Sequence, residues 1–310
     1  MFLSALFWWL FATILLAITA GSIWVINLVS SIFLTLREPS FLMNYPRVEG
    51  EPVDFQSEDG IRLKGKFIKS LRSSAKGTVI FCPEADGTID SCSKYTPFLP
   101  AHGFHVFSFD FRGHGTSGNA DGYVPRQWAS SHELYDLFGA LDTVKAMPSV
   151  DPDKIFLMGV SRGAATAICA AAISGDIRGI VSDSAFSTKW LLNDYMRKWT
   201  GVILPVKKLP TLIYWILEET GVFASEIKTQ CRFPSVEKSL RQMKNPILMI
   251  HGQKDSYVSF KHARKLFDAA TRAPKKFLEV PNARHNESVL VAPELYEKTV
   301  VEFLESALSS

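Results

Sequence analysis

The sequence predicts an α/β fold, a mostly parallel sheet covered by helices on both faces, with an antiparallel start. Short β-branched or aromatic runs alternate with helical stretches along most of the chain. A Glu58-Asp59-Gly60 turn joins the first two runs as a hairpin, and the later runs have a helical stretch between most of them, as parallel strands require. The composition permits this fold: 310 residues, 47% hydrophobic and 21% charged, suffice for a large core.

Residues 1–36 contain no Asp, Glu, Lys, Arg or His and are dominated by Leu, Ile, Phe, Trp, Ala and Val. A bilayer core about 30 Å thick needs roughly 20 apolar helical residues, so this stretch is expected to be one helix crossing once. No basic residue precedes it, and Ile23 to Leu36 stay apolar beyond the small residues Ala20, Gly21 and Ser22, a pattern that favours an uncleaved anchor over a signal peptide. Trp8, Trp9 and Trp24 suit membrane interfaces and suit simple packing equally well. The nearest basic residues, Arg37 and Arg47, both follow the span, which points to a cytoplasmic C-terminal part.

Residues 37–50, with two prolines, read as a connector, and residues 51–310 as one domain. In that domain Pro52 to Phe55 and Ile61 to Ile68 form the hairpin. Thr78 to Cys82, His105 to Phe109, Ile155 to Met158, Gly179 to Val181, Ile247 to Ile250 and Lys276 to Val280 are the strands that follow. In His132 to Met147, Leu134, Leu137, Phe138, Leu141 and Val144 recur at helical spacing and make one apolar stripe. Between strands six and seven the chain is longer than one helix needs, so about 187–243 reads as a helical cap insertion rich in Trp, Leu and Ile. Such sheets bind ligands at the carboxyl ends of their strands.

At one of those ends stands Gly159-Val160-Ser161-Arg162-Gly163, after the run IFLM and before the small-residue helix AATAICAAA. A serine in a tight strand-to-helix turn projects its hydroxyl from the sheet edge, and side chains at the two glycines would clash with neighbouring backbone. A Gly/Ser turn that only packs a helix on a strand gives the same pentapeptide. A serine hydroxyl needs an imidazole to take its proton, and the imidazole needs a carboxylate to orient it. Asp255 and His285 each follow a strand on the same edge as Ser161. Asp183 ends another strand there and is the alternative acid. His114 is expected to shape a loop beside the site.

Asp110-Phe111-Arg112-Gly113-His114-Gly115-Thr116-Ser117, the Ser161 pentapeptide, His251-Gly252-Gln253-Lys254-Asp255 and Ala283-Arg284-His285-Asn286 together resemble the α/β-hydrolase superfamily. With the N-terminal apolar stretch, the chain is similar to the single-pass membrane-anchored α/β-hydrolase domain proteins. The resemblance implies an α/β-hydrolase fold in which Ser161 is the nucleophile, His285 the general base and then acid, and Asp255 its orienting carboxylate. It also implies that the Arg162 amide is one oxyanion-hole donor. Where relatives of this kind carry His-Gly after the third strand, this chain reads Pro83-Glu84-Ala85. Pro83 has no N–H, so the Ala85 amide, or less readily that of Glu84, is the second donor, and the orientation of the Glu84 carboxylate matters.

These readings imply a membrane-anchored serine hydrolase for an ester or thioester of a small molecule, a lipid or an acylated protein, with no metal and no organic cofactor. The same triad serves peptidases, and the same fold also serves as a catalytically silent binding module. Lys207-Lys208 reads as solvated surface or as a lipid-headgroup contact. With 34 Lys+Arg against 31 Asp+Glu the net charge is only +3, too little for a nucleic-acid footprint. Cys82, Cys92, Cys169 and Cys231 are widely separated, which argues against structural zinc and a disulfide framework and points to a reducing compartment.

Overall fold

Eight strands among the described residues form one sheet, and each falls on an expected run. The protein is represented by a computed structural model that describes residues 2–35, 45–203 and 210–309. Arg37, the connector as far as residue 44, Leu204, Lys207-Lys208 and Leu209 lie outside the described residues. Strands β1 (Glu51–Gln56) and β2 (Arg62–Ile68) make the expected hairpin, with Gln56 opposite Arg62. Strands β3 (Gly77–Cys82), β4 (Phe104–Phe109), β5 (Ile155–Val160), β6 (Gly179–Asp183), β7 (Ile247–Gly252) and β8 (Lys275–Val280) complete the order β1-β2-β4-β3-β5-β6-β7-β8. Only the β1–β2 and β2–β4 pairs are antiparallel; β3 to β8 run the same way. The loops after β3, β5, β6, β7 and β8 therefore gather at one edge.

The central strands are buried along their whole length, and alternate residues feed two cores. Ile80 and Cys82 of β3 point into one core with Phe107, Leu137, Leu141 and Ile168. Val79 and Phe81 point into the other with Tyr95, Phe104, Tyr296 and Leu304. The short α2 (Cys92–Tyr95) belongs to the second core, and α3 (Ser131–Lys145) to the first. Ser130 caps α3 while Glu133 reaches back to the Ser130 backbone, a reciprocal pair that sets the helix start. Helix α4 (Arg162–Ala171) is buried throughout, and its small residues let it pack close to the sheet.

The chain divides into two compact units, residues 1–36 with 192–231, and residues 37–191 with 232–310. The second holds the sheet. Helix α5 (Thr188–Ile203) starts in it and continues into the first. The first unit is helical: α1 (Phe2–Thr35) packs on α6 (Thr211–Thr229). Contact is close because Gly221 has no side chain; a Cβ there would lie 2.4 Å from Val29 Cγ1. Ser225 Oγ and Ser30 Oγ are hydrogen-bonded at 2.9 Å beside it. Residues 6–35 of α1 are long and apolar enough to cross a bilayer, and most of their side chains are exposed.

The segment 187–243, expected as a cap, is thus divided between the units. Helix α7 (Val236–Gln242) packs its Val236 and Leu240 into the first sheet core. Helices α8 (Phe260–Ala269), α9 (Ser288–Val291) and α10 (Pro293–Leu308) complete the sheet unit.

Candidate active site

Strand β5 ends at Val160, and Ser161 turns the chain into α4 with φ +50° and ψ −114°, a conformation L residues rarely adopt. Two glycines make that turn possible. A Cβ on Gly159 would lie 2.4 Å from the Gly163 carbonyl oxygen, and one on Gly163 would lie 2.1 Å from that of Cys82. Ser161 is held from the backbone side as well, its N–H donating to the Asp183 carbonyl at 2.9 Å.

The structure brings Ser161, His285 and Asp255 into one hydrogen-bonded chain. His285 Nε2 is 3.0 Å from Ser161 Oγ, and Nδ1 is 2.6 Å from Asp255 Oδ2. A carboxylate only accepts, so Nδ1 carries the ring proton and Nε2 faces the serine as an acceptor. The other Asp255 oxygen accepts the N–H groups of Tyr257 at 2.8 Å and Val258 at 2.7 Å, which locks the carboxylate in place. Asn282 and Asn286, on either side of His285, take positive φ values of +66° and +60°. Asp183, the alternative acid, is bonded instead to the Ser184 hydroxyl at 2.9 Å. Burial raises its carboxyl to about 6, against the opposing Ser184 bond.

The Arg162 amide opens α4 beside Ser161. Its side chain does something the sequence did not suggest: the buried guanidinium holds the neighbouring loop. Nη1 donates to the Arg126 carbonyl at 2.9 Å and lies 3.8 Å from Glu133, and Nη2 is 3.3 Å from His114 Nε2. Burial alone would raise the Glu133 carboxyl, but the Arg162 charge and bonds from Ser130 and Tyr123 hold it below its ordinary value.

The loop after β3 is fixed at each peptide that matters. Gly87 N–H donates to the Glu84 carbonyl at 3.0 Å, orienting the peptide that carries the Ala85 N–H. The Ala85 carbonyl lies 2.7 Å from His114 Nε2. His114 therefore does shape the loop, by clamping Ala85. The Glu84 carboxylate is buried, packs beneath Gly87 and accepts a hydrogen bond from the Tyr45 hydroxyl. Tyr45 ionises well above its ordinary value because it is buried and faces the Glu84 charge.

The contacts of three residues went unnoticed in the sequence. The Tyr257 ring lies 4.9 Å from that of His285, its hydroxyl donates to Gln127 Oε1, and His251 Nε2 is 3.4 Å from Asp255 Oδ2. Tyr257 and His251 lie within four residues of Asp255, a proximity that could have flagged them. Gln127 carries no such signal. Among the described residues no cluster of metal-ligating side chains is present.

A strand-turn-helix serine on this sheet defines an α/β-hydrolase fold. Residues 73–232, just over half of the chain, match the family described as serine aminopeptidase, S33, and the chain belongs to that family. It is 27% identical to an uncharacterized protein, YfhR, of Escherichia coli K12 over 84% of this chain and 82% of that one. It is 26% identical to the α/β-hydrolase domain-containing protein WAV2 of Arabidopsis thaliana over 82% of this chain and 78% of that one. In structure it resembles the Pyrococcus furiosus esterase Pf2001, with TM-score 0.64 and 24% identity over 88% of this chain and all of that one. Acetyl xylan esterase 1 from Thermoanaerobacterium has TM-score 0.61 and 17% identity over 91% and 92% of the two chains.

Proposed function

We propose that the protein is a serine hydrolase that cleaves ester or thioester bonds through an acyl-enzyme on Ser161. The observation that carries this reading is the chain from Ser161 Oγ through His285 to Asp255, at 3.0 and 2.6 Å, on a serine in strained backbone geometry. Ser161 Oγ attacks the substrate carbonyl carbon as His285 Nε2 takes its proton, and Asp255 stabilises the imidazolium. The Arg162 and Ala85 amides receive the developing oxyanion. Collapse expels the alcohol or thiol, which takes the proton from His285. Water, deprotonated by the same nitrogen, then frees the acid and restores Ser161.

The uncharged helix α1 supports a single-pass membrane anchor, and Arg37 and Arg47 after it support a cytoplasmic catalytic domain. A membrane location and the apolar composition of the cap segment support a lipid or acylated-protein substrate. The family's description favours a second reading, amide cleavage by an aminopeptidase. Turnover of the full chain in detergent on short p-nitrophenyl esters and on aminoacyl p-nitroanilides separates the two, with Ser161→Ala as blank. Ester turnover lost in the Ala variant is the expected result. Anilide turnover without ester turnover favours the peptidase, and silence on both shifts weight to a binding module.

A further inference from the structure

Lys94, on the short helix α2, is half-buried, and its ammonium donates to the Asn286 carbonyl at 2.7 Å, across 192 residues of chain. The Tyr95 hydroxyl donates to the same oxygen at 3.3 Å. A lysine is rarely drawn out of water to meet a neutral carbonyl, because burial disfavours its charge. Burial does bring the Lys94 ammonium below the ordinary lysine pKa, while the Glu84, Asp183 and Glu287 carboxyls pull the other way. The platform beneath it is firm: Tyr95 is fully buried, its ring stacks on that of Phe81 in β3, and the ammonium lies 4.7 Å from the Tyr95 ring centre. The carbonyl so gripped belongs to the residue directly after His285. Asn286 takes φ +60°, the left-handed region that few residues other than glycine favour. Its N–H donates to the Ser184 hydroxyl at 3.4 Å, so the peptides on both sides of Asn286 are held.

We propose that Lys94 is a positioning residue for His285: with the Tyr95 hydroxyl it fixes the Asn286 carbonyl, and so sets the imidazole between Ser161 and Asp255. A charged donor makes the stronger hydrogen bond to a carbonyl, which is what a loop that must keep its place through each proton transfer requires. The imidazole has little slack, with 3.0 Å on one side and 2.6 Å on the other. A displacement of about 1 Å at such a centre can cost on the order of a hundredfold in rate. Helix α2 follows the loop that carries Glu84 and Ala85, so Lys94 joins the segment after β3 to the one after β8. The role rests on the hydrolase reading, since it matters only if His285 moves a proton.

The test uses the full chain in detergent and two readouts, kcat and KM on p-nitrophenyl butyrate, and the rate and end point of labelling by a fluorophosphonate. Lys94→Met keeps the length of the side chain and removes its charge. It should lower kcat by about ten- to a hundredfold with KM within about twofold, and slow labelling by the same factor. Labelling should still reach one adduct per chain, because the site is folded but misaligned; a merely structural role would lower the end point and leave the rate of the surviving chains alone. Lys94→Arg, which keeps a charged donor, should recover rates to within about threefold. Tyr95→Phe, which removes only the second donor, should slow both reactions about two- to fivefold. Lys145→Met, on the outer face of α3 and paired with Asp176, should change neither. The proposal is overturned if Lys94→Met labels within twofold of the wild-type rate, if Lys94→Arg is as slow as Lys94→Met, or if only the end point falls. Should Lys94→Met fail to fold, Tyr95→Phe at the wild-type rate overturns it instead. A wild type inert to both ester and fluorophosphonate sinks the hydrolase reading and this role with it, whereas a reactive wild type matched by Lys94→Met sinks this role alone.

Discussion

On the β7–β8 side of Ser161 the polar atoms meet each other: His285 Nδ1 faces one Asp255 oxygen, and the amides of Tyr257 and Val258 take the other. On the β3–β4 side the backbone is just as firmly held, yet Arg126 Nε and Gln127 Nε2 are buried without a hydrogen-bond partner among the described residues. The first flank is finished before any substrate arrives. The second keeps hydrogen-bonding capacity in reserve. A flank that moves protons must be preorganised, because reorganisation during the reaction raises the barrier. A flank that discriminates between substrates gains most from buried polar groups that only the right ligand satisfies.

The comparison breaks first at the finished flank. His285→Ala should lower kcat/KM on a responsive ester by at least about three orders of magnitude, and Asp255→Asn by roughly two to four. Asp183→Asn should stay within about tenfold, because Asp183 contacts Ser161 through its backbone. If Asp183→Asn proves the worse of the two carboxylate variants, the orienting acid has been misassigned.

A smaller effect concerns stability. The Asp183 carboxyl, raised by burial to about 6, holds its proton across a range where the unfolded chain, at about 3.9, has lost it. Between roughly pH 4 and 6 the folded state therefore binds more protons, and stability falls as pH rises through that window. The contribution is fully present below about pH 4 and lost above about 6, a change of roughly 2–3 kcal/mol. Denaturant melts at pH 4 and pH 7 should show this loss, and Asp183→Asn should flatten it. An unchanged slope in the variant would exonerate Asp183.

The smallest effect sharpens the second flank. Tyr45→Phe removes one hydrogen bond to the buried Glu84 carboxylate next to Ala85. It should cost on the order of 1–3 kcal/mol of local order, read as a several-fold drop in kcat with KM little changed. A change confined to KM would mean that the Tyr45 contact supports substrate binding rather than the Ala85 peptide.

How much of this was legible depended on whether the signal was local. The strands were readable because each is a short apolar or β-branched run, and the elbow because Gly159 and Gly163 sit where any Cβ would strike backbone. Strand ends were less clear: β5 and β7 each continue two residues past the apolar run, through Gly159-Val160 and His251-Gly252, since register pairs them with neighbours. Ser161, Asp255 and His285 could be gathered in advance because a parallel sheet brings strand ends to one edge. The side-chain partners could not. Tyr45 meets Glu84 across 39 residues, and Tyr257 meets Gln127 across 130, with no periodicity to announce either. The guanidinium of Arg162 was hidden for a different reason: its backbone role masked what its buried side chain holds.

The central claim is that Ser161 is a nucleophile activated by His285, and covalent labelling tests it most directly. The full chain is treated with a fluorophosphonate, digested, and mapped by mass spectrometry. The account predicts one adduct on the peptide bearing Ser161, absent in Ser161→Ala and formed at least a hundredfold more slowly in His285→Ala. Labelling that persists in Ser161→Ala, or that proceeds at the wild-type rate without His285, would contradict it.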